Sequence, residues 1–423
     1  SKALLASAKA AHTMRVADRY GLPSVDPEID TALVWKRIRA VQQEIASTDD
    51  DPERYRAMGI EIVAGDARLM GPNTVGVTGE AGTRQLDARF VLVCTGSRPA
   101  VPPIEGLPEA GFVTSENLFE LERGPASVVM IGGGPIAIEM AQGFTRLGIG
   151  VTVLQKGPGI LPRDEPSLVA ILSRVLRQEG VDLRLDVQTE AVTVEGGRKV
   201  VHGTEAGKPS RWAADELLVA VGRRANVEGL GLEELGVEMG PRGVVVDQRM
   251  RTSVPSVYAV GDVAGRFLFT HSAGYEAVRA VRDMFFPGKG TVTEFVPWCT
   301  FTDPELAHAG LTEAEARARY GEDVEVWRLD LAHSDRARAE TAAEGTILVV
   351  THEKRVVGAH ILAPSAGEMI HELALAADKE MKLAELAGLI HVYPTLSSGV
   401  GQLAAEAAFE GAKRLRWLVR KGR

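Results

Sequence analysis

Gly132, Gly134 and Ala137 stand at the spacing G-x-G-x-x-A, directly after a short apolar run at residues 128–131. That spacing serves the holding of a pyrophosphate. The first glycine lets the chain turn tightly, the second lets backbone approach the phosphates, and the small third residue lets a helix pack on a strand. Free N–H groups at the start of that helix then face the anion. Pro135 and Ile136 lie inside the turn. A second apolar run, residues 151–154, follows about 20 positions on, which completes a strand–turn–helix–strand unit. The competing reading is a glycine turn in an α/β fold with no ligand. Two other strand ends carry small residues beside polar ones: Val93-Cys94-Thr95-Gly96-Ser97 and Val260-Gly261-Asp262, the latter followed by Leu268, Phe269, Thr270 and His271. The carboxyl end of a strand is where an open α/β sheet takes its ligand.

The elements that position these residues follow from periodicity. Residues 1–20 show a helical pattern, with Leu4, Leu5, Ala8, Ala11 and His12 near one face and Gly21 as its stop. Residues 30–46 form a second expected helix. Strands are expected at 60–63 and 74–77, separated by Gly71-Pro72-Asn73, and again at 90–94. Beyond the glycine turn the pattern gives a helix at 167–179, strands at 217–221 and 256–260, and a helix at 271–285. From residue 291 the texture changes to strands at 295–301, 324–329, 346–350 and 356–362. Helices lie at 312–320, 367–380, 383–388 and 397–419. That later part reads as α+β, so a boundary is placed near residue 290.

The bulk numbers bound the classes. The 423 residues are 45% hydrophobic and 25% charged, ordinary for a soluble globular chain of two or three domains. A net charge of -9 gives nucleic-acid binding no electrostatic support. No run of 18 apolar residues is present, and no secretory leader pattern is read in the opening residues. Two cysteines, Cys94 and Cys299, cannot build a disulfide framework, so a reducing cytoplasm is expected and both are read as core thiols. No metal-ligand set is assigned.

Taken together, in order and spacing, these motifs resemble the flavin-dependent pyridine nucleotide–disulfide oxidoreductases, the group of dihydrolipoamide dehydrogenase, glutathione reductase and mercuric reductase. The matching pieces are Ser1-Lys2-Ala3-Leu4-Leu5, Cys94-Thr95-Gly96-Ser97-Arg98-Pro99 and the turn from Gly132 to Glu139. They continue with Val221-Gly222-Arg223, Val260-Gly261-Asp262, Phe301-Thr302-Asp303-Pro304-Glu305, Gly358-Ala359-His360 and Tyr393-Pro394-Thr395. The resemblance implies an α/β fold of two Rossmann-like nucleotide-binding domains, for FAD and NAD(P), plus a C-terminal α+β dimerisation domain. On that reading residues 1–122 are the first part of the FAD domain, 123–247 the NAD(P) domain, 248–290 the second part of the FAD domain and 291–423 the dimerisation domain. It also implies a lysine beside the flavin N5, paired with the glutamate that ends the glycine turn, here Lys2 and Glu139. A cation at that place stabilises reduced, anionic flavin. Should the two stand apart, the redox reading collapses. The implied cofactor-binding set is Lys2, Ala67, Thr95, Gly96, Ser97, Gly132, Gly134, Pro135, Ile136, Ala137, Glu139, Gln155, Lys156, Thr189, Gly222, Asp262, Leu268, Phe269, Thr270 and His271.

Three departures from the family pattern matter. Family members open with their own glycine turn for FAD and a C-x-x-x-x-C pair that does dithiol chemistry; this sequence starts inside the last three residues of that motif, so an N-terminally truncated product lacking one βαβ unit is expected. The usual His-Pro-Thr-x-x-Glu dyad is replaced by Tyr393-Pro394-Thr395-Leu396-Ser397-Ser398. A phenol is a poor base near neutrality. His391, two residues earlier, would point the same way as Tyr393 on an extended stretch, so both are candidate catalytic residues. Mercury as substrate is disfavoured, because the C-terminus has no cysteine. Finally, the acidic residue expected to hold the 2′-hydroxyl of NAD is replaced by Gln155, with Lys156 next to it, which favours NADP(H) over NAD(H).

The resulting expectation is a homodimeric FAD-dependent NAD(P)H oxidoreductase. It passes hydride from nicotinamide to flavin, then to a disulfide, quinone or other small electron acceptor. The rival readings are a catalytically inactive nucleotide-binding protein and a flavin-free dimeric scaffold. The last helix carries Lys413, Arg414, Arg416, Arg420, Lys421 and Arg423; contact with an anionic membrane surface is weighed there against cations that complement a helix C-terminus.

Overall fold

The computed structural model describes residues 1–80, 82–288 and 291–413. The basic positions from Arg414 onward, where a membrane surface was weighed against a helix C-terminus, lie outside the described residues. Two compact units emerge, each built from separated stretches of chain.

The first unit comprises Ser1–Ile38, Pro102–Val221 and Pro297–Arg423. Its nucleotide-type core is a four-stranded parallel sheet in the order Glu216–Val219, Ser127–Ile131, Gly150–Leu154, Asp182–Arg184. Val128, Val129, Met130 and Ile131 are all buried, as a strand covered on both faces requires. The helix Pro135–Arg146 springs from the end of Ser127–Ile131. Nearly every side chain of it is buried, polar ones included: Glu139, Gln142 and Arg146 join Ala137, Ile138 and Phe144. One face lies on the sheet, while the other takes the helix Lys2–Arg15, whose Leu4 packs against Gly143. A Cβ at 143 would sit 3.0 Å from Leu4 Cδ2, so glycine sets how close the two helices come.

The same unit holds a five-stranded antiparallel sheet in the order Trp298–Thr300, Glu305–Gly310, Arg355–Ala363, Thr346–His352, Val324–Asp330. Its helices include Glu313–Tyr320, Ala366–Asp378 and Ser398–Lys413. Glu313–Tyr320 opens on a full capping box between Thr312 and Glu315. A three-stranded antiparallel sheet of Val187–Glu195, Arg198–Glu205 and Lys208–Ala214 has no counterpart in the sequence expectation. Its exposed positions mix charged residues with Val194, Pro209 and Ala213, so alternation is faint there.

The second unit comprises Arg39–Val101 and Gly222–Val296. A meander of Asp66–Gly71, Thr74–Gly79 and Gly82–Asp87 forms one sheet. Val257–Ala259 runs parallel to Val91–Val93, and Arg223–Ala225 pairs with Ser97–Pro99. The strand expected at 60–63 is absent: those residues connect the helix Pro52–Ala57 to the meander, whose first strand begins at Asp66. The expected helix at 30–46 is Thr31–Thr48 and spans the division between units. No helix among the described residues is long and apolar enough to cross a membrane.

Candidate functional site

The glycine turn sits at the carboxyl end of two central strands. Gly132 has φ 117°, and a Cβ there would fall 2.4 Å from the carbonyl oxygen of Ala220, so only glycine makes this turn. Its N–H donates to Leu154 O at 2.9 Å, which ties the turn to the neighbouring strand. At Gly134 nothing lies within 4 Å of where a Cβ would be. That open space fronts the first turn of a 12-residue helix whose initial N–H groups lack helical partners. Ala137 is fully buried, while Pro135 and Ile136 are exposed at the helix start. The donor set suits a diphosphate, and a cradle of this shape is filled by any side chain larger than hydrogen.

Gln155 and Lys156 follow the next strand. The Gln155 amide donates to Gly159 O at 3.1 Å and its carboxamide packs on Gly133. Lys156 is exposed. Leu161 N–H donates to Gly133 O at 2.9 Å, so the loop after Gln155 closes on the turn. Thr189, half-buried, pairs with Gly203 in the antiparallel sheet.

Lys2 and Glu139 meet because their helices cross at Gly143. Residues 139 and 143 share a face one turn apart, and with Leu4 seated on Gly143, Lys2 comes beside Glu139. Its Nζ donates to Glu139 Oε2 at 2.8 Å. The other carboxylate oxygen, Oε1, accepts the N–H of Phe301 at 3.0 Å. The ammonium also lies 3.8 Å from the centre of the Phe301 ring. Glu139 is 8% exposed at its side chain against 54% for Lys2, so a fixed, buried anion holds a cation that still faces outward. A cleft of about 180 Å³ opens beside them, bordered by Lys2, Leu5, Gln142, Phe301 and Asp303. The part played by Phe301 went unread, although the residue lies in a quoted motif.

That motif is also a structural lock. Asp303 Oδ2 accepts from Arg146 Nη1 at 2.8 Å, and the same guanidinium makes two bonds to Glu179 at 2.6 and 2.7 Å. Arg146 is 5% exposed. Burial pulls its pKa down, but the two carboxylates outweigh that and hold it above the usual arginine value.

In the second unit Asp262 does not stand alone. Ser97 Oγ donates to Asp262 Oδ2 at 2.5 Å, and Arg223 donates to Ser97 Oγ at 2.6 Å and lies 3.5 Å from the same carboxylate oxygen. Thr95 Oγ donates to Asn226 O at 2.7 Å, and the Asn226 amide returns a bond to Thr95 O at 2.9 Å. Gly96 and Gly222 have φ 66° and 135°, as strand-end turns demand. Gly261 N–H donates to buried Glu276 at 2.8 Å; burial raises the pKa of that carboxyl. Phe269 stacks on His271 with ring centres 5.3 Å apart, Thr270 opens the helix Thr270–Phe285 and Leu268 is 42% exposed. Ala67 is exposed in the meander. Apart from Lys2, the residues assigned to the flavin fall in this unit.

Three expectations need correction. Cys94 is exposed, not a core thiol, because its strand stops at Val93. Cys299 is half-buried, and burial followed by Glu305 and Glu139 pushes its thiol far above the ordinary range, so it stays protonated. Tyr393 and His391 do not point the same way. Tyr393 is 70% exposed and donates to Asp335 Oδ2 at 2.5 Å, whereas His391 turns inward, with Nε2 at 3.0 and 3.1 Å from the two oxygens of Glu372. The segment is not a regular strand, so the two-residue alternation fails.

Comparison with known proteins agrees with this architecture. The family model for pyridine nucleotide-disulphide oxidoreductase matches residues 1–277, and the model for the dimerisation domain of the same group matches 296–404. The dihydrolipoyl dehydrogenase of Thermus scotoductus is 35% identical over 424 residues, covering 97% of this chain and 88% of its own. A glutathione reductase of Burkholderia cepacia is 36% identical over 366 residues, with 85% and 79% covered, and a mercuric reductase of Streptomyces lividans 32% identical over 417, with 96% and 86%. Among solved structures, LpdA from Mycobacterium tuberculosis superposes with a TM-score of 0.86, and the HOCl-induced flavoprotein disulfide reductase RclA from Escherichia coli, as its Cu(II) complex, with 0.83. Each is 25% identical, with 96% of this chain and 88% of the other covered. The chain therefore belongs to the pyridine nucleotide-disulphide oxidoreductase family, whose members are oxidoreductases that bind FAD and NAD(P)H.

Proposed function

We propose that this protein oxidises NADP(H), in preference to NAD(H), and delivers the electrons to a disulfide, a quinone or another small acceptor. FAD, when bound, would supply the redox chemistry that links the nicotinamide to the acceptor. The rest of the work belongs to side chains. Gly132 and Gly134 keep backbone clear for the nucleotide's diphosphate at the start of Pro135–Arg146. Lys2 holds a positive charge where negative charge develops on reduction, and Glu139 with Phe301 fixes that cation in place. Ser97 and Arg223 orient Asp262 for hydroxyl groups. Gln155 and Lys156 tolerate a 2′-phosphate. The domain assignment goes with this reading: residues 1–122 and 248–290 for FAD, 123–247 for NAD(P), 291–423 for a homodimer contact. The two unpaired cysteines suit a reducing cytoplasm.

The observation that carries the reading is the 2.8 Å contact between Lys2 and Glu139. The test is a visible spectrum of the purified protein. Flavin bands that bleach anaerobically with NADPH are expected. Retained nucleotide binding without any flavin overturns the assignment.

A further inference from the structure

Between the strand Gly150–Leu154 and the helix Pro166–Gln178 the chain runs through residues 155–165, a stretch rich in glycine and proline. A connection of that composition ordinarily lies open on the surface. This one is buried at its centre: Leu161 is 1% exposed and Asp164 5%. Leu161 also has φ 47°, a left-handed backbone that a bulky side chain keeps only where its surroundings enforce it. Two sets of contacts enforce it. On one side Leu161 N–H donates to Gly133 O at 2.9 Å. On the other, Asp164 N–H donates to Leu161 O at 3.0 Å, and Asp164 Oδ1 accepts from Trp298 Nε1 at 2.9 Å. Trp298 belongs to the edge strand of the five-stranded antiparallel sheet, and its ring is held in place. It stacks on His308 with ring centres 3.6 Å apart, and His308 Nε2 donates to Gly310 O at 2.8 Å. The Arg163 guanidinium lies 4.5 Å from the same indole. A second tie runs beside this one, since Glu165 Oε2 accepts the N–H of Glu313 at 3.1 Å.

We infer that Trp298, acting through Asp164, is a positioning residue for the nicotinamide nucleotide: the antiparallel sheet holds the loop 155–165, and the loop aims the glycine turn. This rests on the reading under Proposed function that the nucleotide's diphosphate lies at that turn. The link is the peptide between Gly133 and Gly134. It is trans and planar, so its C=O and N–H point in opposite directions. Leu161 holds the Gly133 carbonyl, and that fixes the Gly134 N–H on the side away from the loop, at the start of Pro135–Arg146. Two glycines in succession have wide backbone freedom. Without the loop this peptide is free to rotate, and ordering it again would be charged against binding. Loss of the Trp298–Asp164 bond therefore shows as weaker nucleotide binding, while hydride transfer within the bound complex keeps its rate. Trp298 itself touches no cofactor in this scheme; it acts at a distance through one hydrogen bond.

The test uses the flavin-loaded full chain. Calorimetry with NADP+ gives the binding constant, and anaerobic bleaching by NADPH gives a half-saturating concentration and a limiting rate. Trp298→Phe keeps a ring for His308 but has no N–H. It is expected to weaken NADP+ binding about tenfold and to raise the half-saturating NADPH by the same factor, with the limiting rate unmoved. Asp164→Ala is expected to match it. Asp164→Asn, which still offers an oxygen to the indole, is expected to bind as the wild type does. The double variant Asp164→Ala with Trp298→Phe is expected to be no weaker than either single one, because both remove the same bond. A wild-type chain that does not bind NADP+ overturns both this inference and the proposed function. Wild-type binding that Trp298→Phe leaves unchanged overturns this inference alone. So does an additive double variant, an Asp164→Asn variant as weak as Asp164→Ala, or a loss that falls on the limiting rate instead of on binding. Should Asp164→Ala fail to fold, Trp298→Phe and Asp164→Asn decide the matter between them.

Discussion

The ammonium of Lys2 lies 2.8 Å from a carboxylate oxygen of Glu139, across 137 positions of sequence. Burial is lopsided in this pair, and that decides its character. A surface ion pair is worth little, but here the anion is 8% exposed and has its second oxygen on the Phe301 amide. Removing the cation leaves a buried carboxylate short of a partner; removing the carboxylate frees the lysine to wander.

Glu139→Gln keeps the shape and the Phe301 bond while losing the charge. The expected result is flavin bleaching by NADPH slowed by roughly 10- to 100-fold, since the cation is no longer held where charge develops. Stopped-flow absorbance measures it. Lys2→Met is expected to match it, and an unchanged rate in both would remove the pair from the chemistry.

Cofactor choice gives a second expectation. Gln155 is anchored by its amide to Gly159 O, so the end of its side chain has a defined place beside the turn. A carboxylate there would accept from a 2′-hydroxyl and repel a 2′-phosphate. Gln155→Glu should move the ratio of kcat/KM for NADPH over NADH by about tenfold or more toward NADH. A ratio that stays put would show that position 155 does not read the ribose.

Arg146 supports a stability prediction. It is 5% exposed and shared between Glu179 and Asp303, so Arg146→Ala would strand two carboxylates around a hole. Breaking a buried pair from one side costs about 3–5 kcal/mol. Urea unfolding of the variant should show it as a lowered midpoint with an unchanged slope.

How far the chain was legible follows from the kind of signal each part sends. The turn at Gly132 was plain because its demands are local: a positive φ, a close carbonyl and a buried strand on either side. The Lys2–Glu139 contact was legible only through resemblance, as nothing in spacing links positions 137 apart. The sheet from Val187 to Ala214 was missed because its exposed positions mix charged residues with Val194, Pro209 and Ala213, which blurs the alternation. Residues 60–63 misled in the opposite way, since Ile60, Ile62 and Val63 look like a strand but pair with nothing regular. His391 was misread because alternation applies to strands, and its partner Glu372 sits on a helix 19 positions away. The partners Ser97 and Arg223 of Asp262 come from separate strands that only pairing brings together.

Asp164 carries the last prediction. It is 5% exposed in the loop that also closes on the glycine turn through Leu161, and its Oδ1 accepts from Trp298 Nε1 at 2.9 Å. Arg163 stacks over the same indole at 4.5 Å, and the indole stacks on His308 with ring centres 3.6 Å apart. Burial raises the Asp164 carboxyl from 3.8 to about 6, against smaller lowering effects of the indole N–H and Arg163. His308, buried and beside His360, is pushed down to about 2 and stays neutral. The folded protein therefore keeps a proton on Asp164 that the unfolded chain gives up, and stability from this group is full below pH 3.8 and is lost as pH rises through 6. A gap of about two units corresponds to roughly 3 kcal/mol at most. Asp164→Asn, which cannot ionise, should remove that fall, so the variant gains on the wild type between pH 4 and pH 7. Chemical unfolding across that range reads it directly. The indole gives a second readout: wild-type fluorescence should titrate with a midpoint near 6, and the step should vanish in both Asp164→Asn and Trp298→Phe. A step that survives either substitution would assign the titration to another group.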